Sequence, residues 1–177
     1  MPKLSFVYKK DGLLEIYKDA CRVFKVPFNP NDFLKNYPQQ DINPTSWIEY
    51  WKINERDIIA DIEKVYRSFP EREIIIGLFP KKDIFWQFPY FQQTYIFGYT
   101  FGYFNINKAA IILCPSILTA QGRVFSFRLL IHELFHANDM LYHEFGWVDD
   151  EKHKWIDEQA WKIGKKYFRY IPPPSQI

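Results

Sequence analysis

Two of the four histidines in this chain stand four residues apart around a glutamate, in the segment His132-Glu133-Leu134-Phe135-His136. On a helix both imidazoles lie one turn apart on one face and can reach a single zinc ion at about 2.0–2.1 Å. Glu133 is turned about 100° from His132, outside the ligand set but beside the position left for water or a substrate carbonyl. A zinc ion with three protein ligands keeps a fourth position open, brings the pKa of water there towards about 7 and polarises a carbonyl oxygen. Glu133 would take the water proton and pass it to a departing amine. These residues point to zinc-assisted hydrolysis of a peptide bond, and that chemistry needs one more ligand.

The elements that must position them are legible from periodicity. Over residues 119–142, Val124, Phe127, Leu130, Ile131, Leu134 and Phe135 fall on one broad face, which predicts a long, largely buried helix with the motif at its middle. A loop with Gly146 and two aspartates follows. A last helix is expected over 152–170, with Ile156, Ala160, Trp161 and Ile163 inward, Lys162, Lys165, Lys166 and Arg169 outward, and Pro172, Pro173 and Pro174 ending it. Upstream, residues 12–24 predict an amphipathic helix, 27–46 an irregular stretch, and 45–52 a short helix. A further helix starts at Asn54 as its cap and stops at Pro70. Residues 73–79, bounded by prolines and rich in isoleucine, predict a buried strand. Residues 85–104 and 109–114 predict a hairpin across a turn at Asn105-Ile106-Asn107-Lys108, with the many rings of the first arm serving as core rather than as a lid.

For the third ligand, a metzincin pattern would need a histidine at 142 and a glycine at 139, and those positions hold Tyr142 and Asp139. The segment Asp157-Glu158-Gln159-Ala160, which begins 21 residues beyond His136, resembles instead the Glu-x-x-Ala element of the gluzincins, and within that group the chain looks similar to the compact minigluzincins and to the related catalytic domains of membrane-bound peptidases. That resemblance implies a carboxylate as third zinc ligand, either Asp157, which aligns on the alanine, or its neighbour Glu158. It covers residues 54–170, about two-thirds of the chain, and has no counterpart for the N-terminal 50 residues, while the length of 177 residues makes one α+β domain over 1–177 the expectation. Residues 54–170 would be a zincin-like core, a three- to four-stranded sheet packed on the motif helix and the C-terminal helix, and residues 1–53 an N-terminal helical extension. By the same resemblance, strand 109–114 would form the rim of the cleft and pair with an extended peptide.

Around the motif, Tyr142, His143, Glu144 and His153 could orient a ligand or support an oxyanion, and Asn138 and Asp139 could back a zinc-bound imidazole. Cys21 and Cys114 read as two buried thiols, with a Cys114 cap on the zinc as the lesser alternative. A net charge of +2 with interspersed signs gives no footprint for nucleic acid or anionic membranes. The start of the chain lacks the pattern of a signal peptide, and no run approaches the roughly 18 apolar residues of a membrane span, so a cytoplasmic location is expected. The expected activity is a zinc metallopeptidase acting on peptide or protein. The alternative is a catalytically weak or inactive regulatory protein that keeps the zincin scaffold, and the presence of Glu133 argues against it.

Overall fold

The computed structural model describes residues 1–39, 42–92, 97–103, 108–114, 120–144 and 149–172. Its centre is β2 (Glu73–Leu78), which buries Ile74, Ile76 and Leu78 fully on one face and Ile75 partly on the other, as a strand with helices on either side does. β1 (Lys3–Val7) and β4 (Lys108–Leu113) flank it in parallel, and β3 (Gly98–Tyr103) runs antiparallel to β4, giving the order β1-β2-β4-β3. Four helices of at least two turns and one shorter helix surround this mixed sheet: α1 (Lys10–Phe24), α2 (Pro30–Lys35), α3 (Thr45–Val65), α4 (Ala120–Leu141) and α5 (Asp150–Gly164).

Strand alternation divides the interior in two. Ile74, Ile76, Leu78, Ala109, Ile111 and Leu113 face α3, α4 and α5. Phe101, Ala110, Ile112 and Cys114 face α1, α2 and the 3-10 turn at Lys82–Phe85. The α+β class, the four-stranded sheet and the packing of motif helix and last helix on one face agree with expectation. Residues 1–53, expected as a helical extension, take a fuller part: β1 completes the sheet and α1 covers its second face with Leu13, Ile16, Tyr17, Ala20 and Cys21.

The second face explains the aromatic richness. Phe85 meets Phe79 and Phe91 at 4.7 Å between centroids, Phe88 at 5.2 Å and Tyr17 at 5.7 Å, so these rings fill core space, as the sequence suggested. The strand begins later than the ring-rich run does: residues 82–85 and 89–92 are 3-10 turns and β3 starts at Gly98. α3 differs from expectation as well, since the two helices expected over 45–70 form one. Asn54 is in mid-helix, donating from Nδ2 to the Tyr50 carbonyl at 2.8 Å instead of capping. Trp47, Trp51, Ile58, Ile59 and Ile62 make one unbroken buried stripe, and that burial outweighs the local capping signal. Trp161, expected inward, is 48% exposed on α5.

Turn residues 105–107, Thr119, the loop at Gly146, and Pro173 and Pro174 lie outside the described residues. Among the described residues, no helix is long and apolar enough to cross a membrane.

Candidate metal centre

α4 is held on the sheet by Phe127, Leu130, Ile131, Leu134 and Phe135, all fully buried, and this fixes the rotation of the residues between them. His132 and Glu133 are left at 7% and 5% exposure, and His136 is half-buried one turn on. α5 approaches across the end of the motif. Its cap is Asp149, whose side chain accepts from the Lys152 N–H at 2.8 Å, and its first turn carries His153.

Three imidazoles converge. The Nε2 atoms of His136 and His153 each lie 3.1 Å from Nε2 of His132. On its other side His132 donates from Nδ1 to Oδ1 of Asp157 at 2.7 Å. A carboxylate only accepts, so Nδ1 carries the hydrogen and a neutral His132 turns the Nε2 lone pair towards the other two rings. Lone pairs facing one another repel unless a cation lies between them. A tetrahedral zinc with bonds of about 2.0–2.1 Å has ligand atoms about 3.3–3.4 Å apart, close to the observed spacing. The donor set therefore fits a metal ion, and His132, His136 and His153 could hold one.

The electrostatics follow the packing. Burial works to lower the pKa of His132, but the hydrogen bond it donates to Asp157 and the charges of Glu133 and Asp157 outweigh it and hold the ring above its ordinary value. Burial pushes His136 down, towards the neutral form that ligates metals. The His132 hydrogen bond holds the Asp157 carboxyl below the usual range.

The expected residues are placed as follows. His132 and His136 sit together, with Glu133 beside them. Asp157 reaches the site through the back of His132 and is not in the cluster, while Glu158 is exposed on α5. The third ring is that of His153, which had been read only as a flanking residue. A signal for it exists: His153 is four residues before Asp157, so the α5 face that turns Asp157 to the motif carries His153 as well.

Glu133 is held by β3. Its Oε2 accepts from the Thr100 hydroxyl at 2.6 Å, and Thr100 is itself 4% exposed. A Cβ at Gly98 would lie 3.3 Å from Glu133 Oε1 and 3.2 Å from Leu113 and Leu129, so the glycine lets the strand pack closely against this part of α4. The strand that borders the site is therefore β3. β4, expected as the rim, pairs with β2 on one side and β3 on the other and has no open edge.

Several other candidates turn elsewhere. Asn138 and Asp139 bond Arg67 of the chain after α3, Tyr142 donates to the Ser68 carbonyl at 2.6 Å, and Glu144 pairs with Arg67. Cys114 is buried on the second face of the sheet, among the rings that pack with α1 and away from α4, and burial pushes its thiol pKa up. It is inert packing and not a cap on the histidines. Comparison of the chain with protein-family models, with curated proteins and with solved structures gives no match.

Proposed function

We propose that this protein is a zinc-dependent peptidase of zincin-like design, with His132, His136 and His153 as the zinc ligands and Glu133 as the general base. The observation that carries the reading is the convergence of three imidazole nitrogens beside a buried carboxylate that is not itself a ligand. Three imidazoles suit zinc among the common divalent ions. Bound there, zinc would supply Lewis acidity, making water more acidic and polarising the scissile carbonyl. Thr100 fixes Oε2 of Glu133, leaving Oε1 to receive the proton of the attacking water and hand it to the leaving amine. Asp157 keeps the hydrogen of His132 on Nδ1 and so presents Nε2 for coordination. An extended peptide would bind along β3, the outer strand beside Glu133, by adding to the sheet, since no strand among the described residues pairs with that edge. The use of His153 departs from the carboxylate ligand of the gluzincins, so the kinship proposed is with the zincin scheme at large.

Elemental analysis tests the reading. Purified wild type should carry one zinc per chain, and His136→Ala and His153→Ala should each lose it. Glu158→Ala should keep it. Wild type that takes up no metal after incubation with zinc sinks the proposal.

One observation favours a second reading, a zinc-binding protein with little turnover: the carboxylate of Glu133 is deeply buried and already engaged by Thr100. Glu133→Gln separates the two, because it should sharply lower hydrolysis in an enzyme and leave a binder's behaviour unchanged.

A further inference from the structure

α4 brings two of the three imidazoles on one rigid helix, but His153 comes on a separate one. Rotating α5 by a single residue would swing His153 about 100° away. Something must set that rotation. Asp157 does so on one side, through His132. On the other side, Lys152, the residue next to His153, reaches Oδ2 of Asp139 at 3.1 Å.

Asp139 is 5% exposed, and a buried carboxylate is costly unless it is well matched. The match is unusually full. Oδ1 accepts from Arg67 Nη2 at 2.7 Å and from the Tyr66 hydroxyl at 2.5 Å, while Oδ2 takes Lys152. Arg67 goes on to bond both oxygens of Glu144 at 2.7 and 2.8 Å and, from Nε, the Asn138 side-chain oxygen at 2.7 Å. Asn138 returns a hydrogen bond to the Arg67 carbonyl at 3.1 Å. The two cations, Arg67 and Lys152, balance the two carboxylates, Asp139 and Glu144. Tyr66 and Arg67 follow α3, Asp139 ends α4, and Lys152 opens α5, so one closed network joins three helices directly behind the histidines. Apolar residues could fill that volume, but they would not fix the rotation of α5 as directed bonds do.

We propose that Asp139, acting through Lys152, is a positioning residue for the third imidazole, and that Arg67 and Tyr66 make the end of α3 part of the scaffold of the metal centre. This rests on the reading of His132, His136 and His153 as zinc ligands. Asp139 touches neither metal nor substrate, and its effect passes through His153.

The test measures zinc affinity by competition with a chromogenic chelator, the visible spectrum of the cobalt(II)-loaded protein, and Tm of the metal-free chain. The variants are Lys152→Met, Lys152→Arg and Asp139→Asn. Lys152 is partly exposed, so Lys152→Met should fold even if the buried change at Asp139 does not. Lys152→Met is expected to weaken zinc binding about 10–100-fold, the usual size of such indirect effects, and to alter the cobalt spectrum as an imidazole is lost or displaced. Lys152→Arg should restore both. If Lys152→Met lowers Tm but binds zinc within twofold of wild type with an unchanged cobalt spectrum, the network is structural only and the inference fails while the zinc site stands. If wild type itself binds no zinc, the reading of the site falls and this inference with it.

Discussion

Glu133 sits with one oxygen on the Thr100 hydroxyl and its backbone in the middle of α4, so its carboxylate is held in one place, as the proposed general base requires. Glu133→Gln should keep zinc and the fold but lower turnover of a peptide substrate by about 10²–10⁴-fold, the range over which general-base catalysis operates. Stoichiometric zinc together with undiminished turnover in that variant would remove Glu133 from its role. Thr100→Val should lower kcat with little change in zinc content, and Thr100→Ser, which keeps the hydroxyl, should recover most of it. Asp157→Ala should weaken zinc binding about 10–100-fold by freeing the His132 ring, measurable by chelator competition. The pair His132 and His136 could be read directly, since helix geometry alone puts residues four apart on one face. His153 could not be read with the same ease. Its distance from the pair depends on where α5 crosses α4, and a lone histidine among the charged residues of an exposed first turn carries no mark of that.

At the scale of the element, α4 is tied to α3 and to the residues after α5 by the ring of Phe127. Phe127 is fully buried one helical face back from His132, with its ring 4.8 Å from Trp51, 6.0 Å from Trp47 and 5.9 Å from Tyr167. Phe127→Ala should destabilise the protein by about 3–5 kcal/mol in denaturant unfolding, the usual cost of an emptied aromatic site. α3 also offers a pH test. Burial holds the Glu55 carboxyl above its ordinary value, against the opposing pull of Lys52 and of the Trp51 N–H. A carboxyl raised by folding contributes stability below its unfolded pKa and loses that contribution as pH rises through the folded value. Glu55→Gln keeps an acceptor for Trp51 without the buried charge, so its Tm should exceed that of wild type at pH 8. The gain should shrink as pH falls through about 4, since well below that the wild-type carboxyl is protonated in both states. A variant that melts lower than wild type at pH 8 would show that the charge is matched after all. Element boundaries were less legible than element types: Asn54 has every mark of a cap, and only the continuous burial of Trp47 to Ile62 decides that α3 passes through it.

For the molecule as a whole, the sheet needs cover on both faces, and one cover comes from the first 53 residues. A chain beginning at Asn54 would lack β1, α1 and the two tryptophans of α3, leaving Phe79, Phe85, Phe101 and Ile112 open to water. Such a fragment should show no cooperative thermal transition and should bind a hydrophobic dye; a sharp melt like that of the full chain would mean that residues 54–170 fold alone. Local spacing of 2 or 3.6 residues was enough to read the motif helix, the two neighbouring imidazoles with Glu133 between them and the buried strand expected over 73–79, and the richness in rings was enough to read an aromatic core. Only the tertiary structure decided that β3 rather than β4 borders the site, that Lys3–Val7 completes the sheet, that His153 joins the pair while Asp157 stands behind His132, and that Asp139 ties three helices together. The physical reason is common to all four. Each depends on how separate elements pack against one another, and no periodicity within a single element carries that information.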